Sequence, residues 1–447
     1  MLPNPLRWSA LFGVLVLVSL SAAYRPPARA AGGEAVPGPT AAAPAGPPVQ
    51  RLTLAEAKEL ALRNNKALAL ARLNVAEKGY AADAARKDYF PKLLGIDDYF
   101  HFNDNLGSVV SLRRGRFGIL PPGVTTINFA VFNQDSNLAS VMVAQPITKL
   151  IAVNAAVQLA RADQGTAQAQ LDKGTRDLLS GVAQAYYGLL GAQRIQNALQ
   201  LQARLLEQLL RAKPAPELRI GLVGTRQELV LAAGQVRDLT QQLNDLLDLP
   251  PCTMLELVDP VPGDVAPRCA EEAAELALAY SPEVREAQQG IAKAEAAMKV
   301  ARMAYLPDVS VMAGYANQTS ADYMQPDIGF VGVTASYTFF EWGKRRDVKR
   351  QREMDIAMAH QNVRVTMDKV RLEARKAFGH YEQARAEYRL AGEMVQARKD
   401  AEKAASGPAA AQAKADTAKA ELEYMKAEIA YRVAHAQLTG LIGGECR

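Results

Sequence analysis

The residues able to do chemistry are few, and they are badly placed for it. The four histidines are His101, His360, His380 and His435, and no two stand at metal-ligand spacing. Neither a glycine-rich phosphate loop nor a G-x-S-x-G nucleophile elbow occurs. Most carboxylates lie inside helical patterns at charge-pair spacing from a lysine or arginine, which reads as solvated helix surface. No enzyme, metal site or cofactor is expected. Cysteines occur at 252, 269 and 446. An oxidising compartment permits a Cys252–Cys269 disulfide, with two free thiols as the equal alternative.

The N-terminus predicts export. Arg7 precedes an apolar stretch, Ser9 to Ala23, which is too short and wrongly flanked for a spanning helix, and Ala28-Arg29-Ala30 is a small-residue cleavage site. Cleavage after Ala30 removes Arg7, Arg25 and Arg29 and lowers the formal charge from +5 to +2. The basic balance thus belongs largely to the leader and is no argument for nucleic acid. Residues 31–50 are rich in Pro, Gly and Ala and read as a flexible linker. No later stretch is apolar enough for a membrane helix.

The remaining chain reads as two similar halves. A shift of 216 lays the ELAL at 59–62 on that at 275–278, Ala85-Arg86 on Ala301-Arg302, Tyr89 on Tyr305 and Pro91 on Pro307. The expected division is 51–250 for the first repeat, 251–268 for a connection and 269–443 for the second repeat. Each half opens with a helical pattern that ends at the Tyr and Pro. Thr53 with Glu56 forms a capping box at the start of the first. The period then changes from helical to two. The strand pairs fall within 91–148 and 307–340, and the first has the longer connection, 103–137. In the last strand Val331, Val333, Tyr337 and Phe339 alternate with Gly332, Thr334, Ser336 and Thr338. Long helical runs follow at about 151–213 and 342–406, each roughly 90 Å at 1.5 Å per residue. Shorter return helices complete two hairpins.

Four strands with one apolar face on an exported chain pose a problem of closure. An open sheet edge in lipid leaves backbone groups unpaired, so the strands either close by oligomerisation or stay out of lipid in a small layer packed on helices. Three chains would supply twelve strands, an even number that closes around a polar lumen. At the strand end stands FFEWGKRR, residues 339–346. Trp342 suits a membrane interface. Lys344, Arg345 and Arg346 occupy the first turn of a helix, where cations oppose the macrodipole, so a compensating anion such as a lipid phosphate is expected.

These pieces together carry a family resemblance. The twofold pattern, LTLAEAKELALRNN at 52–65, the helix ends DYFPKL and AYLPDV, the FFEWGKRR turn and RIGLVGTRQELVLAAGQV at 219–236 resemble TolC-type outer-membrane efflux proteins over about residues 51–443. The resemblance implies a mixed α/β membrane protein. Its homotrimer forms a 12-stranded β-barrel, four strands per protomer, continuous with a long α-helical periplasmic tunnel. It implies a passive duct of an efflux or type I secretion system, in contact with outer-membrane lipid, with a periplasmic adaptor and an inner-membrane transporter as partners. Carried over by position, Gly221, Leu222 and Val223 would form an exposed docking tip. Gly407 marks a second tip that lacks the apolar pair, and Asp416 takes the place of a periplasmic gate carboxylate. Tyr89, Pro91, Tyr305 and Pro307 would mark the helix-to-barrel junctions. The alternative reading is an exported coiled-coil scaffold without a pore.

Export gives the first testable expectation. N-terminal sequencing of the protein recovered from the cell envelope should begin at Ala31, and a chain that retains Met1 would remove the argument for a cleaved leader.

Overall fold

The computed structural model describes residues 49–104, 106–111, 126–212, 215–259, 267–321, 324–405 and 408–443. The expected leader, most of the linker, the segment around Pro121-Pro122-Gly123, Gly407 and Cys446 lie outside these residues. The first half builds β1 (Val49–Leu52), α1 (Leu54–Asn64), α2 (Lys66–Lys87), β2 (Lys92–His101), β3 (Leu106–Ser111), β4 (Thr126–Phe132), β5 (Asp135–Pro146), α3 (Lys149–Ala212) and α4 (Pro216–Leu247). There follow β6 (Met254–Leu257), α5 (Ala270–Tyr280), α6 (Pro282–Met303), β7 (Asp308–Gln318), β8 (Asp327–Ser336), α7 (Lys344–Ala404) and α8 (Pro408–Leu441).

Where the sequence pattern predicts one entry helix per half, the chain builds two. The Thr53 capping box is present, with Thr53 N donating to Glu56 Oε2 at 2.8 Å and Glu56 N donating to Thr53 Oγ1 at 3.3 Å. Asn65 then breaks the helix with ψ of 120°, and its Oδ1 accepts from Leu68 N at 3.1 Å to cap α2. Ser281 does the same between α5 and α6, with ψ of 118° and its Oγ accepting from Val284 N at 3.2 Å. The two breaks stand 216 residues apart, the offset that aligns the Tyr and Pro residues.

β2, β5, β7 and β8 form one antiparallel sheet in that order. β2 and β8 are its edges and run antiparallel to each other. The register places Leu93, Val141, Val143, Val311, Ala313, Val331 and Val333 on one face, and Ser140, Ser310, Gly314, Thr334 and Ser336 on the other. The apolar face is open, with Val331 81% exposed. β8 stops at Ser336, short of the expected Phe339. The long 103–137 connection is not plain loop, because β3 and β4 pair antiparallel within it.

The helices repeat the strand order. α2, α3, α6 and α7 lie side by side beneath the sheet, each joined to the strand it precedes or follows. Farther from the sheet the neighbours are α4, α3, α8 and α7. α3 has 64 residues and α7 has 61, so each spans over 90 Å at about 1.5 Å per residue. α7 is an edge helix along its whole length, and α2 and α4 hold the other edge. Gly191 lets α3 approach α8, since a Cβ there would come within 2.0 Å of Ile429 Cδ1.

The most deeply buried core lies between the two levels. Residues 49 and 50, expected in the linker, begin β1, which pairs in parallel with β6 inside the expected inter-repeat connection. The strand pair covers Val182, Tyr186, Leu189, Leu243 and Leu247, all fully buried. Tyr186 donates to the carbonyls of Leu52 and Val258, and burial pushes its phenol up to about 12. Asp259, just beyond, binds Arg194 of α3 and Arg432 of α8. The connection therefore ties both hairpins together.

Arg176 of α3 grips Glu283 of α6 through two hydrogen bonds of 3.0 and 2.6 Å, and Ser281 Oγ adds a third at 2.9 Å. Burial works to raise the Glu283 carboxyl, but its bonds and charge pairing with Arg176 outweigh that and hold it below its ordinary value. A depressed carboxylate stabilises the fold above its unfolded pKa and loses that contribution as pH falls through its folded pKa.

Two measurements follow from these helix breaks and this pair. Asn65→Ala and Ser281→Ala should each lower stability by about 1 kcal/mol or more in denaturant melts, since each also loses a second bond, from Asn65 Nδ2 to Leu246 O and from Ser281 Oγ to Glu283. Arg176→Gln should destabilise at neutral pH, and its deficit against wild type should shrink in acid. A deficit independent of pH would mean that packing, not charge, carries the contact.

Candidate functional site

The helix-to-strand junctions are built from the expected residues. Each entry helix ends in a tightened turn, in which Tyr89 N bonds Arg86 O at 3.2 Å and Tyr305 N bonds Arg302 O at 3.2 Å. Pro91 and Pro307 follow, and the strands begin one residue later. Proline suits this place because neither a helix nor a ladder needs its missing N–H. The turn between β5 and α3 binds the second junction through Lys149 with Asp308 at 2.9 Å and Ile147 N with Val309 O at 2.8 Å, and Gln145 of β5 donates to Tyr89 O of the first at 3.4 Å.

The return from strand to helix at β8 is a tight turn. Trp342 has φ of +51° and Gly343 has φ of +84°, left-handed values that glycine tolerates and tryptophan rarely adopts. The turn throws Phe339, Phe340 and Trp342 outward, and Trp342 is 89% exposed. Of the three cations that follow, Arg345 is satisfied from within. It donates to Glu341 Oε2 at 3.2 Å and to Thr338 O, and lies 4.8 Å over the Tyr337 ring. The expectation that all three cations need an external anion is thereby corrected for Arg345. Lys344 and Arg346 stay exposed.

The first tip differs from its expected form. Pro216 stands at the start of α4, where its fixed φ favours a helix, so Gly221, Leu222 and Val223 fall in the second turn and not in a loop. Leu222 is only 6% exposed and packs inside its own hairpin, while Val223 is 60% exposed. The exposed apolar partner of Val223 is Ile220, at 74%. Together with Pro216 and Arg219 they line a shallow depression. Sequence reasoning missed Ile220, although counting three residues back from Val223 on a helix begun by Pro216 would have found it. Leu201, Leu205 and Leu209 continue an exposed apolar stripe on α3.

At the second tip α8 begins at Pro408. Asp416 lies on α8 and accepts from Arg398 Nη1 of α7 at 3.3 Å, and Lys399 bonds Glu421 at 2.8 Å. The expected gate carboxylate is thus engaged across its own hairpin. Cys252 and Cys269 are both free and exposed, so the disulfide is not formed. Cys252 lies in the turn before β6 and Cys269 caps α5, and the extended β6 carries the chain away from Cys252 between them. Among the described residues no helix is long and apolar enough to cross a membrane.

Comparison with known proteins places this arrangement. A family model described as outer membrane efflux protein matches residues 58–216 and 273–444. No protein of curated function matches in sequence. Among solved structures, the chain is similar to the outer-membrane channel OprN, with a TM-score of 0.68 at 17% identity, over 88% of this chain and 90% of that one. The open MtrE outer membrane channel of Neisseria gonorrhoeae gives a TM-score of 0.67 at 16% identity, over 87% and 88% of the two chains. The CmeC outer membrane channel of Campylobacter jejuni gives 0.65 at 14%, over 88% and 85%. At such identities the likeness is one of fold. The family match spans most of the chain, and this protein therefore belongs to the outer membrane efflux proteins, which sit in the outer membrane and reach into the periplasm.

Proposed function

We propose that three copies of this chain form a duct through which substrates pass unchanged from a periplasmic adaptor and an inner-membrane transporter to the exterior. The observation that carries this reading is the sheet. It has one face with an exposed Val-rich stripe, an opposite face on which Ser140, Ser310, Gly332, Thr334 and Ser336 stand among apolar residues such as Leu94, Met142 and Phe330, and, among the described residues, two unpaired edges of opposite direction. β8 of one copy against β2 of the next continues the antiparallel order, and the ring closes with backbone groups satisfied. The duplication of the halves at an offset of 216 residues gives each copy two strand pairs and two hairpins.

The edge helices support the same closure. On α7, Met354, Met358, Val365, Leu372, Leu390 and Met394 are exposed. At 100° per residue they fall within about 40° of one line along the helix. Leu70, Leu73 and Tyr80 on α2, with Val230 and Leu231 on α4, expose the opposite edge. A seam of α7 against α2 and α4 of the neighbour would bury both stripes and extend the barrel into a tunnel. Ile220 and Val223, with Gly221 behind them, form the adaptor-docking tip. Asp416 and its symmetry copies ring the periplasmic end as a gate, released when the bond to Arg398 breaks.

Three outcomes test the proposal. Outer-membrane fractions should yield SDS-resistant trimers with single-channel conductance. A soluble monomer without conductance would favour the scaffold reading. Val331→Arg, on the apolar face, should destabilise the barrel by about 2–4 kcal/mol near the midplane. Thr334→Arg should leave the trimer intact and change its conductance. Equal effects from the two would contradict the assignment of faces. Ile220→Asp and Val223→Asp should weaken adaptor binding about tenfold or more, equivalent to about 1.4 kcal/mol, without loss of conductance.

A further inference from the structure

We propose that the start of α7 is a binding site for the phosphates of anionic phospholipids in the inner-facing leaflet, with one site per copy. This rests on the barrel reading, which puts the strand ends at a membrane surface. Residues 344–352 read KRRDVKRQR, six cations against one acid. Cations there oppose the helix dipole, and Arg346 and Arg350 are like charges one turn apart, which also costs stability. The arrangement calls for a partner anion.

Internal pairing satisfies only part of the cluster. Arg345 is held by Glu341, the Thr338 carbonyl and the Tyr337 ring, and Arg352 bonds Asp355 at 2.9 Å. Lys349 meets Glu353 at 3.6 Å and Arg346 meets its neighbour Asp347 at 3.8 Å, both as exposed pairs of little worth. Lys344 and Arg350 have no ion-pair partner among the described residues. Arg345 therefore positions the turn, and Lys344, Arg346, Lys349 and Arg350 are the cations available to a ligand.

The occupant follows from what adjoins these cations. Phe339, Phe340 and Trp342 stand exposed in the turn that joins the end of β8 to these cations. Aromatic rings at the headgroup level with lysine and arginine just outside form the contact pattern of a membrane surface. The corresponding start of α3 lacks the cluster, and its single first-turn cation, Lys149, is bound to Asp308. The site thus belongs to the second half alone.

The chain has two tryptophans, Trp8 and Trp342, and Trp8 lies in the leader expected to be removed, so Trp342 fluorescence of the mature chain reports on the site directly. The mature chain is reconstituted into phosphatidylcholine vesicles holding equal small fractions of bromine-labelled phosphatidylglycerol or phosphatidylcholine. The expected result is stronger quenching by the anionic lipid, with an apparent preference of about fivefold for each cation that meets a phosphate. The preference should fall with added salt and vanish on combined Lys344→Gln, Arg346→Gln, Lys349→Gln and Arg350→Gln substitution. Equal quenching by both lipids in the unsubstituted site would overturn the proposal. So would erasure of the preference by inorganic phosphate, which would assign the site to a free anion. A preference that survives the substitutions while the trimer dissociates would instead make these cations partners of a neighbouring copy. No quenching by either lipid would place Trp342 away from the membrane and sink the barrel reading itself.

Discussion

In the proposed ring the architecture answers one constraint, that a β-strand edge cannot stay unpaired in hydrocarbon. Each chain contributes four antiparallel strands and leaves both outer strands with a free ladder. Among the described residues neither edge has a partner, and the two edges run in opposite directions as successive copies in the proposed ring require. The helices carry the same requirement away from the sheet. Since every strand is continuous with a helix, the order β2-β5-β7-β8 imposes the order α2-α3-α6-α7, and exposed apolar stripes lie on the outermost helices.

Among the described residues the buried apolar side chains fall into separate clusters along the long helices, so stability is distributed. The small alanines of the interhelical contacts let helices approach closely but bury little area per residue. The compensating mass sits where β1 and β6 cross the bundle. There Tyr186, Leu189, Leu243 and Leu247 are fully buried, and Asp259 holds arginines of both long hairpins. This belt fixes the two hairpins relative to each other at a level far from both the strands and the tips. The breaks at Asn65 and Ser281 let the entry helices change direction close to it.

The strand and hairpin plan was legible because periodicity is a local property. The change from period 3.6 to period 2 at Pro91 and Pro307 needs only the neighbouring residues to be seen, and so does the Thr53 capping box. The breaks at Asn65 and Ser281 carried a local signal too, an Asn or Ser before a fresh helical run, but alanine-rich flanks with high helix propensity hid it. β1 and β6 were not legible. Each is four residues long, and each is a strand only because the other lies beside it, 205 residues away.

The candidate sites divide on the same line. The sequence by itself determined the helix-ending Tyr and Pro residues, the alternation of the strands and the aromatic-basic turn at 339–346, because each is written in adjacent positions. Tertiary structure decided which side chains of those motifs are available. It turned Leu222 inward and left Ile220 beside Val223, consumed Arg345 within its own turn while exposing Lys344 and Arg350, joined Asp416 to Arg398, and kept Cys252 apart from Cys269. The physical reason is that exposure and pairing depend on which helix face meets a neighbour. That depends on packing between segments distant in the chain, which no local pattern records.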